Sequence, residues 1–237
     1  MPLGVPKIPF EDPEDKNKKK INGNENEILK EKDNENEKEK EKEKEKEKDK
    51  GNRDDDSWVD IYNGLYQRRS IFLGKKLDKE VANYIAGVLV YLNMLDSEED
   101  ITLFINSPGG HITDGITVFD AMRTVRPDVQ TICIGTAAST ATFVLLGGEM
   151  TKRLAFPHAR VMMYQSDCHL AKKILFEDYV SESYEIVKAY KYVKKRYVQR
   201  TGKPDFVISE DLTRDDFMTP EEAKAYGIID DILRVEK

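Results

Sequence analysis

From about residue 57 onward, short apolar runs alternate with amphipathic stretches, a rhythm that predicts alternating strands and helices. Residues 70–73 form an apolar run of strand length. Asp78 then sits where a helix N-cap belongs, ahead of a stretch to about residue 95 in which Val81, Ile85, Val88, Leu89 and Leu92 share one face. Residues 101–105 read as a strand that stops at Asn106-Ser107-Pro108-Gly109-Gly110. A helix over about 113–125 follows, then a strand over 129–134, an apolar helical segment over 139–148 and a strand over 159–164. Near the C-terminus, Thr219 caps a helix with Pro220 at its first position and Glu222 placed to complete a capping box. Gly227 ends that helix, and residues 228–233 read as a last strand.

One element is longer than the rest. Phe176, Val180, Val187 and Tyr190 recur at near-helical spacing, and Tyr184 and Tyr197 extend the stripe, so a helix is predicted over about 172–200. At 1.5 Å per residue such a helix is about 42 Å long. A small domain does not need that length, so part of it is expected to project and pack against another copy. Tyr184, Tyr190 and Tyr192 then read either as interface anchors or as cover for the helix's own core. Strand–helix alternation with short links predicts an α/β layered domain.

Composition divides the chain. Of the 46 residues from 11 to 56, 33 are charged, and only Ile21, Ile28 and Leu29 are apolar. Residues 35–50 are almost pure Glu–Lys alternation. Such a stretch cannot bury enough apolar surface to offset the entropy of ordering it. The predicted organisation is an N-terminal segment over 1–14, a disordered low-complexity insertion over 15–56 and one domain over 57–237. The whole chain has a net charge of −7, most of it contributed by the tract, and the near-neutral remainder argues against a strongly charged nucleic-acid binder. No run of about 18 apolar residues is present to span a bilayer. The first ten residues lack the basic start and long apolar core of a secretory signal; the chain reads as processed or trimmed, with any targeting segment absent. Cys133 and Cys168 make no disulfide framework, and His111, His158 and His169 lack zinc-site spacing.

Two segments carry chemistry. Ser107-Pro108-Gly109-Gly110 follows a strand, and its glycines let backbone N–H groups face outward; the segment reads equally as a plain turn. In Gly135-Thr136-Ala137-Ala138-Ser139-Thr140, Ser139 stands where a strand passes into an apolar helix. That is the place of a nucleophile beside a helix start, or of an ordinary N-cap serine. The Gly-x-Ser-x-Gly elbow is missing.

Taken together and in order, several segments resemble the Clp protease proteolytic subunit family over about residues 57–235. They are Asn106 to Gly110, Gly135 to Ser139, Lys152-Arg153, Arg160-Val161-Met162 with Gln165, Arg214 to Met218, and Glu222-Ala223 through Asp230. Pro6 to Phe10 with Trp58-Val59-Asp60 and Asn63 to Tyr66 is similar to the ClpR-type, protease-inactive plastid branch, with the charged tract inserted between the two pieces. Asn- and Lys-rich insertions also look like those of malaria-type parasites (Plasmodium), so the resemblance points to their relict plastid, the apicoplast, as compartment. The fold it implies is a ClpP/crotonase-like spiral of repeated β-β-α units forming a head, with the long helix as a projecting handle.

Residue by residue, the resemblance places the nucleophile on Ser139, the acid on Asp215 and the oxyanion-hole amides on Gly110 and Thr140. The general-base histidine falls on Tyr164. Beyond it, Gln165 is followed by Ser166-Asp167-Cys168-His169 in place of the usual Pro and Gly residues. A serine hydroxyl needs a base poised near neutral pH; tyrosine, with an ordinary pKa of about 10, is a poor one. Loss of one triad member leaves only a residual rate. Ser139 and Asp215 are thus read as remnants, with His111 and His169 as candidate substitute bases. The handle's lead-in is altered to Leu170-Ala171-Lys172-Lys173, which bears on contact between two rings. The implied function is a non-proteolytic subunit, without metal or nucleotide of its own. It assembles as a homo-heptamer or in a mixed ring with active ClpP-type subunits and helps dock a Clp/Hsp100 ATPase. The alternative is an active serine endopeptidase with a rearranged base.

Overall fold

The computed structural model describes residues 7–9, 58–164 and 176–233. The chain divides at Gln67/Arg68 into two compact units. In the first, β1 (Lys7–Pro9) pairs antiparallel with β2 (Trp58–Asp60), Ile8 opposite Val59. Helix α1 (Ile61–Gln67) follows at once, and the Asp60 carboxylate accepts the Tyr62 N–H at 2.9 Å. The charged tract lies outside the described residues.

The second unit is built on a seven-stranded sheet. Strands β3 (Ser70–Leu73), β4 (Ile101–Ser107), β5 (Val129–Ala138), β6 (Arg153–Ala155) and β9 (Asp231–Ile232) run in that order, all parallel. The sheet forks along β5. Its first half, through Cys133, pairs with β6, while Thr136–Ala138 pair with β7 (Arg160–Met162), which in turn pairs antiparallel with β8 (Phe217–Met218). The fork sits at an irregularity in the β4–β5 register: Ile105 faces Cys133, but Ser107 faces Ala137. Asn106 holds the extra residues, its Oδ1 accepting the Thr136 N–H at 3.0 Å. A Cβ on Gly135 would stand 2.5 Å from that same oxygen, so a larger residue there would have to displace the Asn106 side chain.

Helices α2 (Lys79–Leu95), α3 (Ile112–Thr124), α4 (Thr140–Leu146), α5 (Phe176–Thr201), α6 (Asp205–Asp211) and α7 (Pro220–Tyr226) complete the unit. The mixed α/β alternation expected from the sequence is present. Asp78 caps α2 by accepting the Val81 N–H at 2.9 Å, and Thr219 and Glu222 form the reciprocal box at α7. The face of α2 bearing Val81, Ile85, Leu89 and Leu92 is buried, as are Leu103 and Ile105 of β4, Phe119 of α3 and Phe143 of α4. Phe119 and Phe143 stack at 4.4 Å.

Several elements differ from their sequence expectation. β5 runs four residues past Ile134 because the small residues Ala137 and Ala138 are buried between two neighbours. β6, β8, α1 and α6 carry no apolar periodicity of their own and were not expected. Of residues 228–233 only Asp231–Ile232 pairs as strand, Ile228 and Ile229 being buried just after α7. α5 is helical from Phe176, and the expected start at 172 lies outside the described residues. Arg69, 5% exposed and at φ 54°, donates to the carbonyls of Leu92, Asp96 and Asp100, satisfying the end of α2 and the chain beyond it.

β6 survives with a charge at its start because that charge is paired. Arg153 is 2% exposed; its Nε donates to Asp230 Oδ2 at 2.9 Å, one Nη to Oδ1 at 2.6 Å, and the other Nη to the Gly227 carbonyl at 3.0 Å. Burial alone would raise the Asp230 carboxyl, but the Arg153 guanidinium and backbone N–H hold it below its ordinary value. Asp230→Ala leaves a buried guanidinium without its partner and is expected to cost about 3–5 kcal/mol, read by urea denaturation at neutral pH. The folded pKa is depressed, so the pair's contribution is complete above the unfolded value near 4 and is lost as pH falls through the folded value. The gap between Asp230→Ala and the parent should therefore narrow on acidification; a gap independent of pH would show that ionisation of Asp230 adds nothing.

Candidate functional site

Two turns meet at the end of the fork. Gly109, at φ 86°, and Gly110 follow β4 and lie wedged between Leu77 and the start of α4. A Cβ on Gly109 would run into the Ala138 carbonyl and stand 3.0 Å from both Ser139 Cβ and Thr140 N. A Cβ on Gly110 would overlap the Leu77 carbonyl. The Gly109 carbonyl accepts the Leu77 N–H at 2.9 Å, and Ser107 Oγ accepts the Gly109 N–H at 3.1 Å, so the turn is fixed from both ends.

Opposite it, β5 passes into α4 with Ser139 as the only residue between them. Ser139 has φ 56° and ψ −122°, a conformation that a residue with a Cβ holds only when its surroundings impose it. They do so here. Its N–H donates to the Met162 carbonyl at 3.0 Å, while its carbonyl accepts the N–H groups of Thr142 and Phe143. The Thr142 hydroxyl lies 2.7 Å from the carbonyls of both Ala137 and Met162, tying the turn to β7.

Ser139 and Thr140 line a cavity of about 20 Å³, enough for about one water, together with Ile112, Phe143, Tyr164, Tyr190, Val193, Tyr197 and Leu212. The structure thus brings Ser139, Thr140 and Tyr164 together. Gly110 adjoins them, its N–H donating to Thr140 Oγ1 at 2.6 Å. Asp215 is not among the lining residues; it is exposed in the link between α6 and β8. The nearest ladder stops short of it: β7 and β8 pair Val161 with Met218 and Met162 with Phe217, and Asp215 lies two residues before Phe217.

The substitute bases fare differently. His111 is exposed at the position before α3, and His158 is exposed in the link between β6 and β7. His169 and Cys168 lie outside the described residues. Cys133 is buried, and burial pushes its thiol up to about 11, far from thiolate reactivity at neutral pH. No cluster of potential metal ligands occurs among the described residues, and no described helix is long and apolar enough to cross a membrane.

Sequence reasoning missed most of the cavity's apolar wall. Ile112, Phe143, Val193 and Leu212 carry no local signal that separates a cavity wall from a core. The tyrosines of α5 are sorted by the structure. Tyr190 lines the cavity, and Tyr192 donates to Asp120 at 2.6 Å beneath the Arg196 guanidinium. Tyr184 is 68% exposed.

Fold and site define a class: an α/β protein whose forked, mostly parallel sheet delivers a serine at a strained strand-to-helix turn beside a double-glycine turn. The profile of the Clp protease family matches residues 52–236. Over 230 residues the chain is 44% identical to the ATP-dependent Clp protease proteolytic subunit of Nicotiana tabacum, covering 97% of each chain. The subunit of that description from Helianthus annuus is 42% identical over 230 residues, again 97% of each. The one from Daucus carota is 42% identical over 236 residues, 100% of both. The chain belongs to the Clp protease proteolytic subunit family. These relatives correct one expectation. They are plant proteins, which overturns the assignment to Plasmodium and the apicoplast. That assignment rested on the Asn- and Lys-rich character of the tract, and such composition reports solvation rather than lineage.

The wedged glycine gives a direct test. Gly110→Ala forces a Cβ into rigid backbone and is expected to lower stability by several kcal/mol, on the order of the largest single-residue effects. A Cβ on Gly74 meets nothing within 4 Å, so Gly74→Ala should stay within about 0.5 kcal/mol of the parent. Thermal and urea unfolding of the two variants side by side checks this; equal effects would show that the turn can yield.

Proposed function

We propose that this chain is a non-proteolytic ClpP-like subunit of the ClpR type, a structural member of a heptameric Clp ring that supports ATP-dependent proteolysis by active partner subunits. One observation carries the reading: Tyr164, at the position of the general base, shares a cavity of about 20 Å³ with Ser139. The ring of a tyrosine fills the space where imidazole and substrate would meet, and its phenol is a poor acceptor for the serine proton at neutral pH. With Tyr164 at the base position, Asp215 has no imidazole at that position to orient.

The head forms or joins a seven-membered ring, either homomeric or mixed with active ClpP-type subunits. The exposed apolar side chains Tyr84, Tyr91, Met94 and Leu95 on α2 support such lateral contacts. α5, 26 residues and about 39 Å long, is the projecting handle of a crotonase-like spiral, with Val180, Tyr184 and Val187 half or more exposed on its N-terminal half and Val193 and Tyr197 buried further on. A Clp/Hsp100 ATPase is the partner that feeds such a ring. A second reading, an active serine endopeptidase with a rearranged base, draws support from the strain kept at Ser139, since φ 56° is a conformation that persists where a nucleophile turn is retained.

Hydrolysis of a panel of fluorogenic peptides by the purified chain, with Ser139→Ala alongside and ring assembly checked by native mass spectrometry, separates the two. No turnover above Ser139→Ala from assembled protein is the expected result. Turnover that disappears in Ser139→Ala would establish the active peptidase.

A further inference from the structure

We infer that the oxyanion position of this site is closed from within: the Thr140 hydroxyl occupies the Gly110 amide that a substrate carbonyl would need. The inference rests on reading Gly110 as an oxyanion donor, as the proposed function does. The Gly110 N–H donates to Thr140 Oγ1 at 2.6 Å, shorter than the usual range for an N–H···O bond. Both partners are held in place. Gly110 is bridged to Leu77 and leaves no room for even a Cβ on that side. Thr140 is 6% exposed, and α3 passes so close that a Cβ on Gly115 would stand 3.0 Å from Thr140 Cβ and 3.3 Å from its Cγ2. A β-branched side chain at a helix start has few rotamers to begin with, and this packing restricts them further.

An oxyanion hole works because its donors point, unoccupied, at the place where negative charge develops. Here the acceptor is already present, covalently part of the chain and one residue beyond the nucleophile position. A carbonyl oxygen entering the site must displace it and leave a buried hydroxyl short of a partner. The site therefore carries two separate obstacles to acyl transfer: Tyr164 in place of a base, and Thr140 on the donor. Restoring one leaves the other.

The test reads the second obstacle in a background where the first is removed. Full-length Tyr164→His and Tyr164→His/Thr140→Val are incubated with a fluorophosphonate, and phosphonylation of Ser139 is followed by intact mass. In that step Ser139 Oγ bonds to phosphorus, fluoride leaves, and the serine proton passes to the imidazole introduced at position 164. Labelling is expected to be about tenfold or more faster without the Thr140 hydroxyl, in line with the worth of one oxyanion donor. Tyr164→His/Thr140→Ser, which keeps the hydroxyl, should stay within about twofold of Tyr164→His. In parallel, Gly110 amide exchange is measured without any base at position 164. It should accelerate about tenfold in Thr140→Val and in Thr140→Ala and remain unchanged in Thr140→Ser. Equal labelling with and without the hydroxyl (no labelling in either included), or unchanged Gly110 exchange in folded Thr140→Val or Thr140→Ala, overturns the inference. Peptide turnover by the wild-type chain would sink the silent-subunit reading and leave these ratios to stand on their own.

Discussion

Everything around Ser139 depends on two backbone segments that run closer together than side chains allow. Gly109 and Gly110 fit between Leu77 and the Ser139 turn because neither has a Cβ, and the contacts on both sides are backbone, which cannot step aside. That wedge fixes the Gly110 amide against Thr140, holds the end of β4 against β5, and packs against Ser139, whose φ is 56°. The strain at Ser139 is thus maintained from outside, by hydrogen bonds to Met162 and Thr142 and by the glycine turn opposite. A scaffold of this kind keeps its shape independently of the chemistry carried beside it.

The fork of the sheet is the second condition. β5 takes β6 as partner over Thr131–Cys133 and β7 over Thr136–Ala138, and the register shift near Gly135, where Asn106 bonds the backbone, falls where the partner changes. On one branch, β6 and β9 are joined across the Arg153–Asp230 pair; on the other, β7 pairs with β8, and Tyr164 and Asp215 lie just beyond the paired residues. The branch that stabilises and the branch that bears the site diverge from the same bulge, so they answer to different substitutions.

Much of the fold was legible in the sequence where a local rule applied. Asp78 before an amphipathic run, the Thr219–Glu222 box and Gly227 are local signals, and each reappears in the structure. So does the strand-to-helix position of Ser139. What could not be read depends on distant partners. Arg69 and Arg153 are charged residues that look like surface and are buried, because the carbonyls at the end of α2 and the Asp230 carboxylate receive them. The Thr140 hydroxyl is another case: 30 residues separate it from Gly110, and no periodicity links them. The tyrosine at position 164 stood out only against a family pattern, since on its own it follows an apolar run like any aromatic residue.

The small first unit has a bearing on how the chain tolerates change. Lys7–Pro9 and Trp58–Asp60 pair directly, so sequence positions about 50 apart are neighbours in space. A connection whose ends are already joined can vary in length at little expense, since for a flexible loop each doubling adds only about 0.6 kcal/mol of closure entropy. Replication slippage in a run of Glu and Lys codons would then lengthen or shorten the tract while leaving the strand pairing on either side intact. Closing the ends on each other therefore separates the stability of the strand pair from the number of residues between them.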